Sequence, residues 1–441
     1  MMKFPFTDYA IRSLIPSPVN QLTQSFADDF RPGTDINLGV GYVNASTIPS
    51  KALADAFRHV LAHPDKHRNA LNYGSAEGSA NLRHEIQSYY TRNAVGGFTE
   101  ADFSDKAIII GANGATSILE SLAHIFKPGI IITAEPCYYI YAEYLQRCGF
   151  TLVGVPEEAD GADIGKMAEI IRGLPQGELR FIYMITVNNP TGTILSNAKR
   201  AEILRLAAKA GQQSGQTIPV IFDRAYEDII FSPSVETPQS ALLMPHGELA
   251  AEVGTLSKII APALRIGYLI SRKSAFTQAL TQRMSDIGFS APLINQEIAS
   301  IMLSDHLDEQ LASVRSGYRI KALFLSQLFT AHLTPYIETV RGGQAGFYFY
   351  IQFRDVETGK DTAFFRFLSR TTGNPHIDGQ PTLLPRLIYI PGDICTLPGS
   401  SITHQAARAI RISFGYEDTQ VLEKAILLIK EAAEYSTAHK K

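Results

Sequence analysis

Short apolar, β-branched runs alternate with amphipathic stretches through the first half of the chain. The apolar runs predict buried strands, and they lie at residues 107–110, 130–133, 152–155, 181–186 and 219–222. Between them, residues 117–126 and 201–210 repeat apolar side chains at helical spacing. Strands separated by helices need right-handed crossovers. The pattern therefore predicts an α/β fold with a mainly parallel sheet that helices cover on both faces.

The pattern changes near residue 330. Residues 293–329 keep a helical pattern without proline, which is long enough to bridge two lobes. Beyond them we predict strands and a closing amphipathic helix, at residues 347–353, 387–390, 410–414 and 421–435. We therefore expect an N-terminal arm and substrate-side segment at 1–45, a large domain at 46–330 and a smaller α+β domain at 331–441.

Composition and charge exclude several classes of protein. Apolar residues make up 45% and charged residues 19% of the 441 residues, as in ordinary globular proteins. The 40 basic and 43 acidic residues give a net charge of −3, which does not favour nucleic acid binding. No apolar run approaches a membrane span, and Asp8, Arg12 and several prolines interrupt any signal peptide. The three cysteines lack metal-site spacing, so we expect a cytoplasmic protein with no metal and no membrane contact.

The segment 254–268 carries the strongest chemical signal. Lys258 lies there among hydroxyl and apolar residues, with Arg265 as the one other cationic residue. Desolvation and a nearby cation lower the pKa of an amine, which makes lysine nucleophilic enough to condense with an aldehyde. Thr255, Ser257 and Arg265 supply the donors that a phosphate monoester needs. A surface lysine beside a structural arginine is the alternative interpretation.

Two further segments follow predicted strands. Residues 111–116 form a Gly-rich turn that opens a helix, so their amides would face an anion, although a purely structural turn fits equally well. Asp223 ends a strand, where α/β sheets bind ligands, and Tyr226 follows three residues later. A carboxylate there could hold a pyridinium nitrogen protonated, while Tyr226 could bond a ring oxygen. The alternative is an N-capping Asp223 beside a packed tyrosine.

Three more residues complete the candidate chemistry. Asn189 follows another strand and would be a second donor to the ring oxygen, although a turn is its default interpretation. Tyr138 is placed to stack on a planar ring, or else is an exposed loop tyrosine. Arg411 interrupts an apolar strand, and a buried guanidinium usually faces an anion. That anion would be a substrate α-carboxylate or a carboxylate of the protein.

In this order, these segments resemble the class I/II aminotransferases, which are fold-type I pyridoxal-phosphate enzymes of the aspartate aminotransferase superfamily. The resemblance covers nearly the whole chain, through residues 37–41, 73–74, 78, 82–83, 114–116, 136–138, 189–192, 223, 226, 257–258, 265 and 411. It implies a seven-stranded, mainly parallel sheet in the large domain. It also implies pyridoxal 5′-phosphate as the cofactor.

The resemblance assigns a role to each residue. Lys258 would form the Schiff base and shuttle a proton, and Asp223 would partner the pyridine nitrogen. The remaining cofactor contacts would be the 3-oxygen ligands Tyr226 and Asn189, the stacking Tyr138, and the phosphate cradle of Gly114, Ala115, Thr116, Thr255, Ser257 and Arg265. Arg411 would take the substrate α-carboxylate, with Val40, Gly41 and Asn189 on the substrate side. Tyr73 would reach the phosphate of a neighbouring subunit, which implies a homodimer with shared sites.

The implied activity is exchange of an amino group between an L-amino acid and a 2-oxo acid, with glutamate and 2-oxoglutarate as one pair. Aspartate-specific relatives carry an arginine where Ser290 lies in this chain, so strict aspartate specificity is not expected. The Lys258 to Arg265 spacing is similar to that of aminoadipate, kynurenine and aromatic or branched-chain enzymes.

Two other functions use the same scaffold. A lyase acting on a C–S or other bond would need the same lysine, because the orientation of the substrate decides which bond breaks. A ligand-sensing domain of a helix-turn-helix regulator is a third interpretation. Alignable sequence begins near residue 36, and we expect that to leave too little chain for a DNA-binding domain.

Overall fold

The structure is a computed structural model that describes residues 4–27, 30–379 and 384–439. Residues 1–3 and 28–29 of the predicted arm, and residues 380–383 and 440–441 of the predicted small domain, lie outside the described residues. The strands are β1 (Ile36–Asn37), β2 (Lys106–Ile110), β3 (Ile130–Glu135), β4 (Thr151–Glu158), β5 (Gly161–Ala162), β6 (Leu179–Ile185), β7 (Val220–Asp223), β8 (Ala250–Thr255), β9 (Gly267–Arg272), β10 (Ile337–Gly342), β11 (Tyr348–Phe353), β12 (Leu387–Ile388), β13 (Ile390–Pro391) and β14 (Ala409–Ser413).

The α-helices are spread along the whole described chain. They are α1 (Asp8–Arg12), α2 (Pro18–Ala27), α3 (Ser50–Ala62), α4 (Ala80–Arg92), α5 (Gly114–Ile125), α6 (Tyr139–Arg147), α7 (Ile164–Gly173), α8 (Asn197–Ser214), α9 (Ala275–Asp286), α10 (Leu293–Ile301), α11 (Leu307–Leu328), α12 (Ala363–Ser369), α13 (Pro375–Asp378), α14 (Thr403–Ala406) and α15 (Thr419–Ala438).

The large sheet has the strand order β2-β9-β8-β7-β6-β3-β4-β5. Strands β4, β3, β6, β7 and β8 are parallel neighbours, and β9 runs antiparallel between β8 and β2. The predicted seven-stranded, mainly parallel sheet is confirmed. The two-residue β5 adds a short antiparallel strand at the β4 edge. Because β3, β6, β7 and β8 are parallel, the loops that leave them meet at one edge of the sheet.

Two apolar cores lie on opposite faces of this sheet. Successive side chains of a strand point to opposite faces, so Ile108 and Ile110 belong to one core and Ile109 to the other. Helices α5, α6 and α9 cover the face that includes Ile109. Helices α4, α8, α10 and α11 contribute to the other core. This burial on both faces explains the uninterrupted apolar runs from which the strands were predicted.

The smaller sheet is antiparallel, with the order β10-β11-β14-β13. Helices α12 and α15 pack against each other, and Leu422, Ile426 and Ile429 of α15 are buried. The chain's N-terminal segment reaches the same region, because β1 pairs in parallel with β12. Leu38 then accepts a hydrogen bond from the backbone of Ser413. Residues 36–38 are therefore held by the C-terminal part of the chain.

Some elements differ from the sequence expectation. Strands β8 and β9 were not predicted, and the predicted strand 387–390 is divided into β12 and β13. The predicted helix 293–329 is interrupted by a π-helical turn at Met302–His306, which separates α10 from α11. No helix within the described ranges combines the length and the apolar character needed to cross a membrane.

Candidate active site

A cavity of about 320 Å³ lies at the sheet edge where β6, β7 and β8 end. Most predicted site residues line it, namely Gly41, Ala115, Thr116, Tyr138, Asn189, Asp223, Tyr226, Thr255, Ser257, Lys258, Arg265 and Arg411. These residues come from loops that are far apart in the chain. Parallel topology brings the loops together, because each follows the carboxyl end of a strand or begins the next helix.

Lys258 lies shortly after β8 with its amine inside the cavity. Its Nζ donates a hydrogen bond to the carbonyl of Gly41 at 3.0 Å. The rings of Tyr226 and Phe347 lie 5.7 Å and 5.6 Å from the same atom. Burial, followed by the charges of Arg265 and Arg411, lowers the pKa of Lys258 to about 8. Near neutral pH a much larger fraction of this amine is therefore unprotonated than in an ordinary lysine, which favours its action as a nucleophile.

Asp223 ends β7 and is buried at the floor of the cavity. Its Oδ2 accepts a hydrogen bond from the hydroxyl of Tyr183 at 2.8 Å, and its Oδ1 accepts one from the amide of Ala225 at 3.0 Å. Burial raises the pKa of Asp223, while these hydrogen bonds and the charge of Lys258 oppose the rise. A cationic group entering the cavity would further favour the ionised carboxylate.

The N-terminus of α5 forms an open cradle for an anion. Asn113 precedes the helix and its side chain makes no capping hydrogen bond. The Gly114 amide donates to the Arg265 carbonyl at 2.7 Å, so the amides of Ala115 and Thr116 in the first turn are the ones left for another partner. The Arg265 side chain lies directly beside this turn. Its Nη2 is 2.9 Å from the point where a Cβ on Gly114 would stand, and its Nε donates to Asn113 Oδ1 at 2.7 Å. The helix N-terminus and the guanidinium together suit a phosphate.

Thr255 and Ser257 continue this cradle on the β8 side. The Thr255 hydroxyl lies 3.0 Å from Ser257 Oγ, and both residues are buried. Gly267, at the start of β9, allows this strand to approach the N-terminus of α5 closely. A Cβ on Gly267 would stand 2.0 Å from the amide nitrogen of Ala115, which leaves no room for a side chain.

Arg411 on β14 is buried and faces the same cavity. Its guanidinium donates to the Gly39 carbonyl and to Asn189 Oδ1, the latter at 3.2 Å, and it lies over the ring of Tyr348. Its Nε has no hydrogen-bond partner in the described part of the chain. These partners are neutral oxygens, so the charge of Arg411 is left to an anion from outside.

Three residues surround the space between Lys258 and Arg411. Because an arginine only donates, Asn189 meets Arg411 through its oxygen, which leaves the amide nitrogen as a donor. The hydroxyl of Tyr226 lies 2.9 Å from that of Tyr348. Tyr138 immediately precedes α6 and adds an aromatic ring to the cavity wall. These residues add aromatic rings and polar donors to the cavity wall.

Four residues considered from the sequence do not line the cavity of their own chain. Tyr73 is 86% exposed, and its ring lies 6.0 Å from that of Phe289. Ser290 is buried and donates to the carbonyl of Ser75 at 2.9 Å. Val40 lies between Gly39 and Gly41, whose carbonyls accept hydrogen bonds from Arg411 and Lys258. Gly114 lies next to the Arg265 guanidinium at the start of α5. Gly41, by contrast, is in the wall and touches Tyr348.

Sequence reasoning missed part of the wall. The additional lining residues are Tyr42, Leu119, Tyr139, Ile140, Ile185, Ala225, Pro262 and Tyr348. Three of them, Tyr42, Tyr139 and Ala225, are adjacent in sequence to predicted site residues, and this adjacency is a signal that could have identified them. Tyr348 comes from β11 and carries no motif. In residues 4–27, 30–379 and 384–439, no group of three or more His, Cys, Asp or Glu residues could hold a metal ion.

The fold is similar to that of solved aminotransferases. It matches the multiple substrate aminotransferase from Thermococcus profundus with a TM-score of 0.81 and 18% identity, over 99% of this chain and 98% of that chain. It matches the kynurenine aminotransferase of Pyrococcus horikoshii with the same TM-score, identity and coverage. These likenesses establish the fold.

Sequence relatives and a family model complete the comparison. The chain is 25% identical to the HTH-type transcriptional regulator YisV of Bacillus subtilis (strain 168) over 436 residues, which cover 97% of this chain and 79% of that protein. The model of the family "Aminotransferase class I and II" matches residues 34–426. With a match over most of its length, and with the fold expected from its motifs, the chain belongs to the class I and II aminotransferase family.

Proposed function

We propose that this protein binds pyridoxal 5′-phosphate at Lys258 and exchanges an amino group between an L-amino acid and a 2-oxo acid. The observation that carries the proposal is the single cavity that combines Lys258, Asp223, Arg265 and Arg411. A nucleophilic amine, a buried carboxylate, a phosphate cradle and a guanidinium whose partners are neutral oxygens are the groups that this reaction needs.

The residues present fit the cofactor. The first turn of α5, with the Arg265 guanidinium beside Gly114, would hold the phosphate. Asp223 would pair with the ring nitrogen, while Asn189 and Tyr226 would bind the ring oxygen and Tyr138 would stack on the ring. When bound, pyridoxal phosphate supplies an electron-withdrawing ring that makes the substrate Cα–H acidic.

The chain's own residues account for substrate binding and proton transfer. Arg411 would hold the α-carboxylate through its unpartnered Nε and an adjacent nitrogen, in the fork geometry that guanidinium groups favour. Lys258 Nζ would then take the proton from the substrate Cα, because a pKa of about 8 allows the amine to act as base and later as acid. The Gly41 carbonyl orients that amine.

We propose glutamate and 2-oxoglutarate as one substrate pair. The support comes from the resemblance to the family, and the neighbours in fold include aminotransferases for several substrates. The segment 288–295 contains no arginine, so a second carboxylate would need another partner. A screen of amino donors against 2-oxoglutarate would identify the other substrate.

We also propose that the protein is a homodimer with shared sites. Tyr73 and Phe289 are exposed, with their ring centres 6.0 Å apart, and Leu71, two positions before Tyr73, is also exposed. Exposed apolar side chains of this kind suit a protein interface. Tyr73 would then be able to serve the cavity of the other subunit.

The test is spectroscopic. Purified protein loaded with pyridoxal phosphate is mixed with L-glutamate, and the visible band of the lysine-bound cofactor should disappear. Adding a 2-oxo acid should restore it, and Lys258→Ala should show neither change. A wild-type protein that responds to no proteinogenic amino acid would contradict the proposal. Release of pyruvate and ammonia from cysteine or cystathionine without an oxo acid would instead indicate a lyase.

A second function is effector recognition within a transcription regulator. It is favoured by the names of sequence relatives, which include YisV and the HTH-type transcriptional regulator NorG of Staphylococcus aureus, 23% identical over 399 residues. Under this alternative the protein would hold the cofactor and bind an amino compound without turnover. A stable spectral change that no 2-oxo acid reverses, together with specific DNA binding, would favour it over transamination.

A further inference from the structure

Tyr183 occupies an unusual place behind the cavity. It lies on β6, is buried, and its side chain points to the same face of the sheet as Ile221 of the neighbouring β7. Its hydroxyl donates to Asp223 Oδ2 at 2.8 Å. Tyr183 itself does not line the cavity. Any effect that it has on a bound molecule must therefore pass through Asp223.

The Asp223 carboxylate has one protein donor on each oxygen. Ala225 supplies a backbone amide to Oδ1, and Tyr183 supplies its hydroxyl to Oδ2. Both donors favour the ionised form, while burial disfavours it. The backbone amide is fixed by the fold. Of these two donors to the Asp223 carboxylate, only the hydroxyl of Tyr183 comes from a side chain and can be removed by substitution.

Packing fixes the direction of this hydroxyl. The ring of Tyr141 meets that of Tyr183 edge to face, with 4.9 Å between the ring centres. The hydroxyl of Tyr141 donates to the Leu119 carbonyl at 2.9 Å, so it does not compete for Asp223. Burial also raises the pKa of Tyr183 well above its usual value, so its hydroxyl keeps its proton and remains a donor.

We infer that Tyr183 is a positioning residue of this site, whose hydroxyl holds the Asp223 carboxylate in place to pair with the ring nitrogen of pyridoxal phosphate. The inference rests on the proposed function, because it concerns the way in which that cofactor is bound. A merely structural tyrosine would join β6 to β7 and would affect every ligand of the cavity equally. A positioning residue affects only ligands that carry the ring nitrogen.

The experiment compares the binding of two ligands to apo protein. One is pyridoxal phosphate, and the other is its analogue in which a CH group replaces the ring nitrogen. Tyr183→Phe keeps the ring and removes the hydroxyl. We expect the variant to bind pyridoxal phosphate about tenfold more weakly than wild type, as for the loss of a hydrogen bond to a charged group. Its Kd for the analogue should be unchanged.

Tyr141→Phe is the matched control. It removes a hydroxyl from the adjacent buried ring, which bonds to Leu119 and not to Asp223, and should leave the ratio of the two Kd values at the wild-type level. Tyr183→Met, which is apolar and fills the space flexibly, is a second variant without the hydroxyl and should give the same altered ratio as Tyr183→Phe. Thermal unfolding of each variant verifies that folded protein is measured.

Two results would overturn the inference while leaving the proposed function intact. One is an equal loss of affinity for both ligands in Tyr183→Phe, which indicates a structural role. The other is no loss for either ligand. If the wild-type protein fails to bind pyridoxal phosphate, the proposed function is refuted and the inference falls with it, so the two failures are distinguishable.

Discussion

Lys258 differs from a surface lysine through its surroundings and not through its covalent chemistry. Its amine has a carbonyl acceptor from Gly41, aromatic neighbours, and the guanidinium groups of Arg265 and Arg411 close enough to influence it. Removal from water and two positive charges both favour the neutral amine. The reactivity suggested by one sequence segment is therefore the sum of contributions from four distant parts of the chain.

This environment gives a defined pH dependence. At pH values below its pKa of about 8, the amine of Lys258 is mainly protonated, and the protonated form has no lone pair to attack an aldehyde. The rate at which apo protein combines with pyridoxal phosphate should therefore rise with pH and level off above about 8. Stopped-flow absorbance over a pH series measures it. Lys258→Ala should lose the reaction and keep the fold, while Lys209→Ala, at an exposed helix position, should match wild type.

Arg411 gives a second prediction at this scale. Arg411→Lys retains a positive charge but loses the planar fork that binds a carboxylate at two points. We expect kcat/KM for the amino acid substrate to fall about 100-fold, with little change in cofactor affinity. Steady-state kinetics and a cofactor titration measure the two effects separately. An unchanged kcat/KM would show that the substrate carboxylate binds elsewhere.

Site residues that lie in motifs could be predicted from the sequence. Residues that reach the site only through tertiary contacts could not. Asp223, Asn189 and Lys258 could be found because each follows a strand or stands alone in an apolar segment. Tyr348 lines the cavity from the small sheet, whereas Tyr183 does not line it and contacts Asp223 from behind. Neither follows a recognisable pattern, because their roles depend on contacts with residues that are distant in sequence: Tyr183 contacts Asp223 across 40 positions, and Tyr348 contacts Tyr226 across 122.

At the scale of elements, apolar strands were predicted more readily than strands with buried charge. β8 carries Glu252, which is buried and interrupts the apolar pattern. Its carboxylate is paired with Arg224 at 2.8 Å. A buried charge is tolerated only with such a partner, and the partner lies on another loop. The pattern of a single segment therefore could not identify β8 as a core strand.

The contact between β9 and α5 yields a prediction for the phosphate cradle. Gly267→Ala would place a Cβ 2.0 Å from the amide nitrogen of Ala115, so strand and helix would have to separate. We expect at least a tenfold loss of affinity for pyridoxal phosphate, and a fall of about 2 kcal/mol in the free energy of unfolding. Cofactor titration and chemical denaturation measure these changes.

Gly173 supplies the control for that substitution. It ends α7, and no atom lies within 4 Å of a Cβ added there. Gly173→Ala should leave cofactor affinity unchanged and raise the free energy of unfolding by up to about 1 kcal/mol. If Gly267→Ala behaved like Gly173→Ala, the close approach of β9 to α5 would not matter for the phosphate.

At the scale of the whole molecule, the alternation of strands and helices was sufficient to predict the fold class, but long-range pairing was not predictable. β1 pairs with β12 across most of the chain length, and Leu38 bonds to Ser413. Two-residue strands carry no periodicity from which pairing could be inferred. The extent of the N-terminal arm and the boundary near residue 330 remain predictions.

The proposed homodimer with shared sites can be tested by a mixing experiment. Tyr73→Ala should weaken cofactor binding, and Lys258→Ala should abolish activity. If Tyr73 serves the neighbouring subunit, a hybrid dimer of the two variants has one site with both substitutions and one intact site. Unfolding the variants together and refolding them should therefore restore activity in about one site in four. Activity at limiting cofactor measures the recovery.

The control pairs two substitutions that belong to one cavity of a single chain. Lys258 and Asp223 line the same cavity, so a hybrid of Lys258→Ala and Asp223→Asn carries one substitution in each of its two sites and should recover nothing. If the Tyr73 mixture also recovers nothing although hybrids form, Tyr73 does not act across an interface. Recovery in the Tyr73 mixture alone requires that Tyr73 complete the site of its partner. Only then do both substitutions fall in one site of the hybrid dimer and leave the other site intact.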